Sequence, residues 1–325
     1  MKYIEFIVPK SSCCSVESPS LALIETIVRR AVLECAGQSQ LPPATSGDPM
    51  QIFNSPVVLA IKKEIVRAGK KLWKRHYVDG NGGNISARVS EEFVVCTPTL
   101  LSKGDLRVED LALVDLENRR ICGYRAHTSE LLLHLEIYKT VPEAKAVIHC
   151  HPPYATAHAV AGVIPQSNLV PEQEVFIGLV ALSPYETPGT HEFAHTVRTL
   201  AKDHNTILLA NHGIACWADT VTHAEWYAEI VETYCKTVMI AKQLRSDLPE
   251  IPAGKMAELL ALKKKLGMSL PDPRNAPDPA EAADPLAGAA IPAQLPASGP
   301  LDATETDKLV DRLTEEIFDF LEKNR

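Results

Sequence analysis

The sequence lacks the features of a membrane-spanning or a secreted protein. No stretch approaches about 18 uninterrupted apolar residues, and the apolar run at residues 3–8 contains Glu5 and is too short for a signal peptide. None of the eight cysteines lies in a CxxC pair, so reduced thiols are expected rather than a disulfide framework or a zinc–thiolate site. These absences predict a cytoplasmic protein.

The sequence also lacks a basic stripe of the kind that binds nucleic acid or an anionic membrane surface. The net charge is −8, and residues 270–325 hold twelve Asp and Glu against five Lys and Arg, a balance of −7 that leaves −1 for the rest. Nucleic acid and membrane partners are therefore not expected. A small-molecule enzyme fits this charge distribution better.

Length and composition predict four segments. With 325 residues and 46% apolar side chains, the chain can form a sizeable core. Residues 1–49 are an extension with an amphipathic helix at residues 19–37, and residues 50–269 are the main domain. Residues 270–303 form a Pro/Ala-rich linker, with eight of the 24 prolines between 270 and 300. Residues 304–325 carry a second amphipathic helix.

The main domain alternates between helical and strand patterns. Ser55-Pro56 predicts the start of a helix through about His76, and further helices are expected near residues 129–139 and 222–244, the last with a Thr222/Glu225 capping box. Strand-like runs occupy residues 84–88, 93–97, 111–115, 144–149 and 206–211. This mixture predicts an α/β layered domain of about 200 residues.

Three histidines stand at the ends of apolar strands. His149 and His151 are separated by one residue, which places both side chains on one side of an extended strand, although such a pair also arises by chance. His212 ends another apolar run and precedes Gly213, which allows a tight turn beside the ring. Three neutral imidazoles suit zinc, copper or iron and leave an open coordination position, and zinc is the default interpretation.

A polar triplet stands where the helix near residue 130 begins. Thr128 and Ser129 offer hydroxyls and free backbone N–H groups that could hold an anion, while Glu130 could reach the metal. The alternative is structural, with Ser129 as the helix cap and Glu130 favouring the first turn.

Six ordered motifs between about residues 55 and 244 resemble those of the class II aldolase and adducin family. They are Gly-Gly-Asn84-Ile-Ser86, Cys-Thr-Pro-Thr99, Thr-Ser-Glu130, Ile-His149-Cys-His151, Pro-Tyr185 followed by Gly189-Thr190, and Asn-His212-Gly. The resemblance implies a three-layer α/β/α fold with a largely antiparallel central sheet. It also implies a fourfold homotetramer with active sites between subunits.

The resemblance assigns roles to individual residues. His149, His151 and His212 match the histidines that bind one zinc ion per subunit in fuculose-phosphate aldolases, and Glu130 matches the acid that binds zinc at rest and then shuttles protons. The residues that match substrate-phosphate positions are Asn84, Thr99, Thr128 and Ser129. Two positions depart from the aldolase pattern, since Leu100 replaces a glycine and Asn81 a threonine. Candidates for additional proton donors are Tyr154, Glu172 and Glu174.

The function implied by the resemblance is a zinc-dependent lyase. It would cleave L-fuculose 1-phosphate, with L-rhamnulose 1-phosphate as a further candidate, to dihydroxyacetone phosphate and L-lactaldehyde. The alternatives are a sugar-phosphate epimerase similar to L-ribulose-5-phosphate 4-epimerase and a non-enzymatic adducin-like scaffold, which the intact histidine set disfavours.

The terminal helices suggest a location. The helix in residues 304–325 resembles the encapsulation peptides that dock enzymes onto the shell proteins of bacterial microcompartments, and the helix at 19–37 resembles one too. Such a short helix gains order by burying its apolar face on a partner. The alternative is that either helix packs on its own domain or on a sister subunit.

Overall fold

The computed structural model describes residues 48–265. The predicted helices at 19–37 and within 304–325, and the linker at 270–303, lie outside the described residues. In the described part, the helices longer than one turn are α1 Pro49–Phe53, α2 Pro56–Lys74, α3 Leu131–Thr140, α4 Pro153–Ala161, α5 Pro171–Phe176, α6 His191–His195, α7 Val221–Leu244 and α8 Ala253–Lys265. No described helix is both long enough and apolar enough to span a bilayer.

Eight strands form one sheet. They are β1 Asn84–Arg88, β2 Phe93–Cys96, β3 Ala112–Asp115, β4 Arg120–Cys122, β5 Ala146–Cys150, β6 Ala181–Ser183, β7 Thr206–Leu209 and β8 Gly213–Ala218. Their order is β4-β3-β2-β1-β5-β8-β7-β6, and every neighbouring pair is antiparallel except β6 with β7. The predicted largely antiparallel sheet is confirmed.

Helices cover both faces of this sheet, because successive strand residues enter different hydrophobic clusters. Ile148 packs in the cluster that contains buried residues of α2, α4 and α7, whereas Val147 packs in the cluster that contains those of α3 and α6. Cys216 and Ala215 on β8 divide in the same way. The period of two along each strand thus produces three layers.

The long helix α2 begins as the sequence predicts. The Ser55 hydroxyl accepts a hydrogen bond from the Val58 N–H at 3.3 Å, and Pro56 occupies the first helical position. Val58, Ile65 and Leu72 are buried on the inner side.

The predicted Thr222/Glu225 capping box of α7 is wrong. Thr220 is the N-cap, and its hydroxyl accepts from the His223 N–H at 3.1 Å. Thr222 instead contacts Arg67 of α2 through its hydroxyl at 2.6 Å. Thr220 therefore supplies the local cap, and Thr222 makes a contact between helices.

Candidate active site

His149 is the penultimate residue of the central strand β5 and is fully buried. Its side chain lies on the same face as Val147, toward α3 and α6. The His149 Nδ1 lies 2.9 Å from the carbonyl oxygen of Ile214, so Nδ1–H donates and the lone pair is left on Nε2. This hydrogen bond orients the ring with Nε2 available to bind a metal ion.

His151 follows directly after β5 and meets His149 edge to edge. The two Nε2 atoms are 3.0 Å apart, which confirms the expectation that both rings lie on one side. The backbone N–H of His151 donates to the Tyr77 carbonyl at 2.7 Å. The N–H groups of Tyr154 and Ala155, which open helix α4, donate to the Glu232 carboxylate at 3.1 and 2.8 Å.

His212 lies in the turn between β7 and β8. Its ring centroid is 4.6 Å from that of His149 and 5.1 Å from that of His151. The tight turn that was predicted is present, but Asn211 supplies the positive φ of 55°. Gly213 is needed for close approach, because a Cβ there would lie 2.5 Å from the Cys150 carbonyl and 2.6 Å from the His151 ring.

The three imidazoles are poor bases in this setting. Burial lowers the pKa of His149 well below its usual value, and the neighbouring rings add to the shift. Burial likewise lowers the pKa of His151 to about 4, and it lowers the pKa of His212 against the opposing charge of Glu130. All three rings are therefore neutral near pH 7, as metal ligands must be.

Glu130 joins the histidines from the start of α3. Its Oε2 lies 3.5 Å from His149 Nε2, and its Oε1 lies 3.4 Å from His212 Nε2. Asn84, which is paired with His149 in the β1–β5 register, donates its side-chain N–H to Oε2 at 2.8 Å. The carboxylate is thus held between two of the rings.

The donor set fits a divalent zinc-like ion. The ligand nitrogens of His149, His151 and His212 all lie within 4.8 Å of one another. A tetrahedral zinc ion with bonds of about 2.0–2.1 Å has ligand atoms about 3.3 Å apart. Three of the separations among these groups are close to that value, at 3.0, 3.4 and 3.5 Å. Three neutral imidazoles and one carboxylate are also the ligand types that zinc accepts.

The expected phosphate residues are brought together only in part. Pro98 and His127 form an isolated antiparallel bridge, flanked by hydrogen bonds from the Thr99 N–H to Ala126 and from the Thr128 N–H to Thr97. Ser129 is exposed next to this bridge. Asn84 differs, because its buried amide is engaged by Glu130 and by His134 at 2.5 Å.

The structural alternative for the Thr-Ser-Glu triplet is wrong in one respect. Glu130, rather than Ser129, occupies the N-cap of α3, and no side chain makes the usual cap hydrogen bond there. The Thr128 hydroxyl accepts a long hydrogen bond of 3.4 Å from the Glu130 N–H. The Ser129 hydroxyl is therefore not the helix cap.

The candidate proton donors make other contacts in this structure. Tyr154 packs against the first core cluster with Lys236 5.3 Å above its ring. The buried Glu174 accepts from the Asn168 N–H at 2.7 Å, and Glu172 is exposed. Glu174 therefore stabilises a loop.

Two residues near the site were not predicted from the sequence. Lys103 is 1% exposed and donates to the carbonyls of Asn81 and Leu101, both at 2.9 Å, so it ties the glycine-rich turn to the loop after Thr99. Burial lowers the pKa of Lys103 to about 8, and the charge of Glu130 opposes the shift. No motif marks this lysine in the sequence. His134 is buried and contacts Asn84 directly.

Comparison with known proteins gives consistent matches. The family profile described as "Class II Aldolase and Adducin N-terminal domain" matches residues 63–239. An L-fuculose phosphate aldolase from Methanococcus vannielii is 36% identical over 174 residues, which cover 54% of this chain and 93% of that protein. A 3-oxo-tetronate 4-phosphate decarboxylase from Haemophilus influenzae is 33% identical over 180 residues, which cover 54% of this chain and 85% of that protein. A solved L-fuculose 1-phosphate aldolase superposes with a TM-score of 0.59 at 28% identity, covering 63% of this chain and 96% of that chain.

Proposed function

Since the chain belongs to the class II aldolase and adducin family and is a metal-dependent lyase, we propose that it cleaves L-fuculose 1-phosphate to dihydroxyacetone phosphate and L-lactaldehyde. L-rhamnulose 1-phosphate is a further candidate substrate. The observation that carries the proposal is the Glu130 carboxylate, which lies within 3.5 Å of ligand nitrogens from two of the three neutral histidines.

In this proposal His149, His151 and His212 hold one zinc ion per subunit, and Glu130 completes the set at rest. A zinc ion bound by three neutral ligands keeps its charge available as a Lewis acid for the negative charge that develops beside the ketone. The His149–Ile214 hydrogen bond fixes one ligand ring before the metal arrives.

Glu130 moves the proton. Glu130 takes up the proton of the hydroxyl on the departing carbon, and that hydroxyl becomes the aldehyde carbonyl as the carbon–carbon bond breaks. The electron pair of the broken bond stays on the carbon next to the ketone, as an enediolate. A proton delivered to that carbon by Glu130 completes dihydroxyacetone phosphate. Such a transfer by a positioned group contributes roughly 10²–10⁴-fold to the rate.

The substrate phosphate is assigned to the hydroxyls of Thr99, Thr128 and Ser129, together with the Asn84 amide. The bridge between residues 98 and 127 supports this assignment for Thr99 and Thr128 by bringing their segments side by side. Leu100 stands where the aldolases have glycine, yet it adopts a glycine-like φ of 53°. The backbone turn after Thr99 is thus kept despite the leucine side chain, which is 79% exposed.

Decarboxylation of 3-oxo-tetronate 4-phosphate is a second candidate function. It is supported by the 33% identity to the Haemophilus influenzae decarboxylase. Loss of carbon dioxide from that substrate leaves an electron pair on the carbon next to the ketone, as aldol cleavage does, and protonation there also gives dihydroxyacetone phosphate. Glu130 would have the same task in both reactions.

The two remaining alternatives predict different products. A 4-epimerase similar to L-ribulose-5-phosphate 4-epimerase would re-add the aldehyde to its other face, so no fragment would accumulate. An adducin-like scaffold would leave every sugar phosphate unchanged. The neutral histidine cluster favours an enzyme over the scaffold.

One assay separates these functions. The purified protein with zinc is incubated with L-fuculose 1-phosphate, L-rhamnulose 1-phosphate, L-ribulose 5-phosphate and 3-oxo-tetronate 4-phosphate in turn. Formation of dihydroxyacetone phosphate together with L-lactaldehyde supports the aldolase. Formation of dihydroxyacetone phosphate together with carbon dioxide supports the decarboxylase. An epimeric pentulose phosphate without fragments supports the epimerase. No change in any substrate contradicts the proposal.

We further propose that the enzyme is a homotetramer and that residues 304–325 attach it to the shell proteins of a bacterial microcompartment. A microcompartment shell would contain the reactive aldehyde product, which supports this location. The same proposal divides the chain into residues 1–49, 50–269, 270–303 and 304–325. Light scattering should give four times the chain mass of 35.5 kDa.

A further inference from the structure

A line of buried hydrogen bonds leads from Glu130 into the core between α3 and β1. The Asn84 amide nitrogen is 2.8 Å from Glu130 Oε2, and its oxygen is 2.5 Å from His134 Nε2. His134 Nδ1 is then 2.7 Å from the Ser86 hydroxyl, which is 2.8 Å from the Tyr138 hydroxyl. Five side chains therefore form one continuous connection that ends at the carboxylate.

The sequence spacing explains this arrangement. Glu130, His134 and Tyr138 follow one another at intervals of four residues, which places them on one face at the start and along the length of α3. Asn84 and Ser86 are two residues apart on β1, so both point to the same side of the sheet. Residues from α3 and residues from β1 therefore alternate along the line of hydrogen bonds.

Chemistry fixes the direction of every hydrogen bond in the line. An ionised carboxylate only accepts, so Asn84 presents its N–H₂ to Glu130 and its oxygen to His134. His134 must then donate from Nε2, which leaves Nδ1 to accept from the Ser86 hydroxyl. Ser86 in turn accepts from Tyr138. All four donors point toward Glu130.

We propose that His134, Ser86 and Tyr138 are positioning residues that lock the Asn84 amide in the orientation in which it donates to Glu130. This rests on the proposed function, in which Glu130 carries the proton. A reversed Asn84 amide would turn its oxygen toward the carboxylate and repel it from its place between His149 and His212.

Burial makes this lock effective. Ser86 and His134 are 0% exposed and Tyr138 is 1% exposed, so water has little access to replace a lost partner. Burial also lowers the pKa of His134 to about 3, which keeps the ring neutral and able to donate at one nitrogen while it accepts at the other. Hydrogen bonds arranged in series strengthen one another in such a setting.

The first test reads the protons directly and needs no substrate. Magic-angle-spinning NMR of ¹⁵N-histidine-labelled protein distinguishes the two neutral imidazole tautomers, and the His134→Gln variant identifies the His134 signals by their loss. We expect His134 to be neutral with its proton on Nε2. A proton on Nδ1, or on both nitrogens, near neutral pH would overturn the proposal.

The second test reads turnover. Tyr138→Phe and Ser86→Ala should each lower kcat about threefold to tenfold. KM for the phosphorylated substrate should rise by a smaller factor, because Asn84 is one of four groups assigned to the phosphate. His134→Gln can donate and accept in the same places and should keep more activity than His134→Leu. If His134→Leu does not fold, the other three variants still decide.

The matched control is Tyr234→Phe on helix α7. This substitution also removes a buried tyrosine hydroxyl, which donates to the Gln166 carbonyl. It should leave kcat unchanged. Equal kcat losses in Tyr138→Phe, Ser86→Ala and Tyr234→Phe would show that the line of hydrogen bonds contributes only to the stability of the core. That result would contradict the proposal. If wild type cleaves no sugar phosphate, the proposed function fails, and the NMR result alone decides the positioning role.

Discussion

At the scale of single residues, the site combines groups that are held in one protonation state. Burial keeps the imidazoles of His149 and His151 neutral, so their lone pairs are available at a pH where a free histidine is partly protonated. Glu130 is the acidic side chain that lies between two of the rings. In the proposed function, proton transfer therefore depends on Glu130.

The Glu130→Gln variant tests that dependence. The amide keeps the size of the side chain but cannot take up and deliver a proton, so turnover should fall by roughly 10²–10⁴-fold while bound zinc is largely retained. Steady-state kinetics and metal analysis of the same sample provide the measurement. Activity within about threefold of wild type would remove Glu130 from the mechanism.

The control for this variant is Glu136→Gln. Glu136 lies six residues further along the same helix and forms an ion pair with Arg198. Its substitution changes the charge by the same amount but should leave turnover close to the wild-type value.

A second prediction at this scale concerns acid stability. The pKa of His134 is lowered to about 3 in the folded protein, against 6.5 in the unfolded chain. Between these values the unfolded chain binds more protons, so stability falls as the pH drops from 6.5 toward 3.

His134→Gln should remove this contribution, which amounts to up to about 5 kcal/mol across the window. Urea unfolding of the zinc-free wild type and variant at several pH values measures it. Parallel pH profiles for the two proteins would contradict the buried, neutral assignment of His134.

At the scale of elements, strand register places the site. The β1–β5 register sets Asn84 opposite His149, and the β5–β8 pairing brings the turn with His212 beside His151. Gly213 permits this close approach, because a Cβ would collide with the Cys150 carbonyl at 2.5 Å.

Gly213→Ala should therefore destabilise the protein by about 1–3 kcal/mol and weaken metal binding. Gly254→Ala is the matched control, because a Cβ there meets nothing within 4 Å and alanine favours helix α8 by up to about 1 kcal/mol. Urea unfolding distinguishes the two. Equal stability of both variants would show that the β5–β8 approach tolerates a side chain.

Much of the arrangement of helices and strands around the site could be predicted from the sequence. The one-residue spacing of His149 and His151 was sufficient to place both rings on one side, and Ser55-Pro56 marked the start of α2. The strand β8 was missed because residues 213–218 carry a single β-branched side chain, although pairing with β5 and β7 makes the segment a central strand.

Contacts between distant segments were beyond sequence reasoning. Thr222 resembles a helix cap but contacts Arg67, and no local pattern connects Asn84 with His134 or Lys103 with Asn81. Such partners are selected by the packing of helices on the sheet, which the periodicity of one segment does not specify.

At the scale of the whole molecule, the described catalytic unit holds all the residues assigned to the site. Deletion of residues 270–325 should therefore leave turnover and oligomeric state unchanged, because the linker is poor in bulky apolar residues. Kinetics and light scattering of the truncated protein provide the measurement. Loss of activity or of the oligomer would place the C-terminal segment in the enzyme's own interface.

The same segment should determine location. Fusion of residues 304–325 to a fluorescent reporter should carry the reporter to microcompartment shells. A scrambled sequence of the same composition, which loses the apolar stripe of the predicted helix, should leave the reporter dispersed. Equal distribution of both reporters would contradict the targeting role.

The central claim is that His149, His151 and His212 together bind one catalytic metal ion, and elemental analysis of zinc tests it most directly. We expect one zinc ion per chain in wild type and in His223→Ala, a control whose histidine pairs with Asp219 at 2.6 Å. His149→Ala should retain almost no zinc while it stays folded. Undiminished zinc in folded His149→Ala protein would contradict the account.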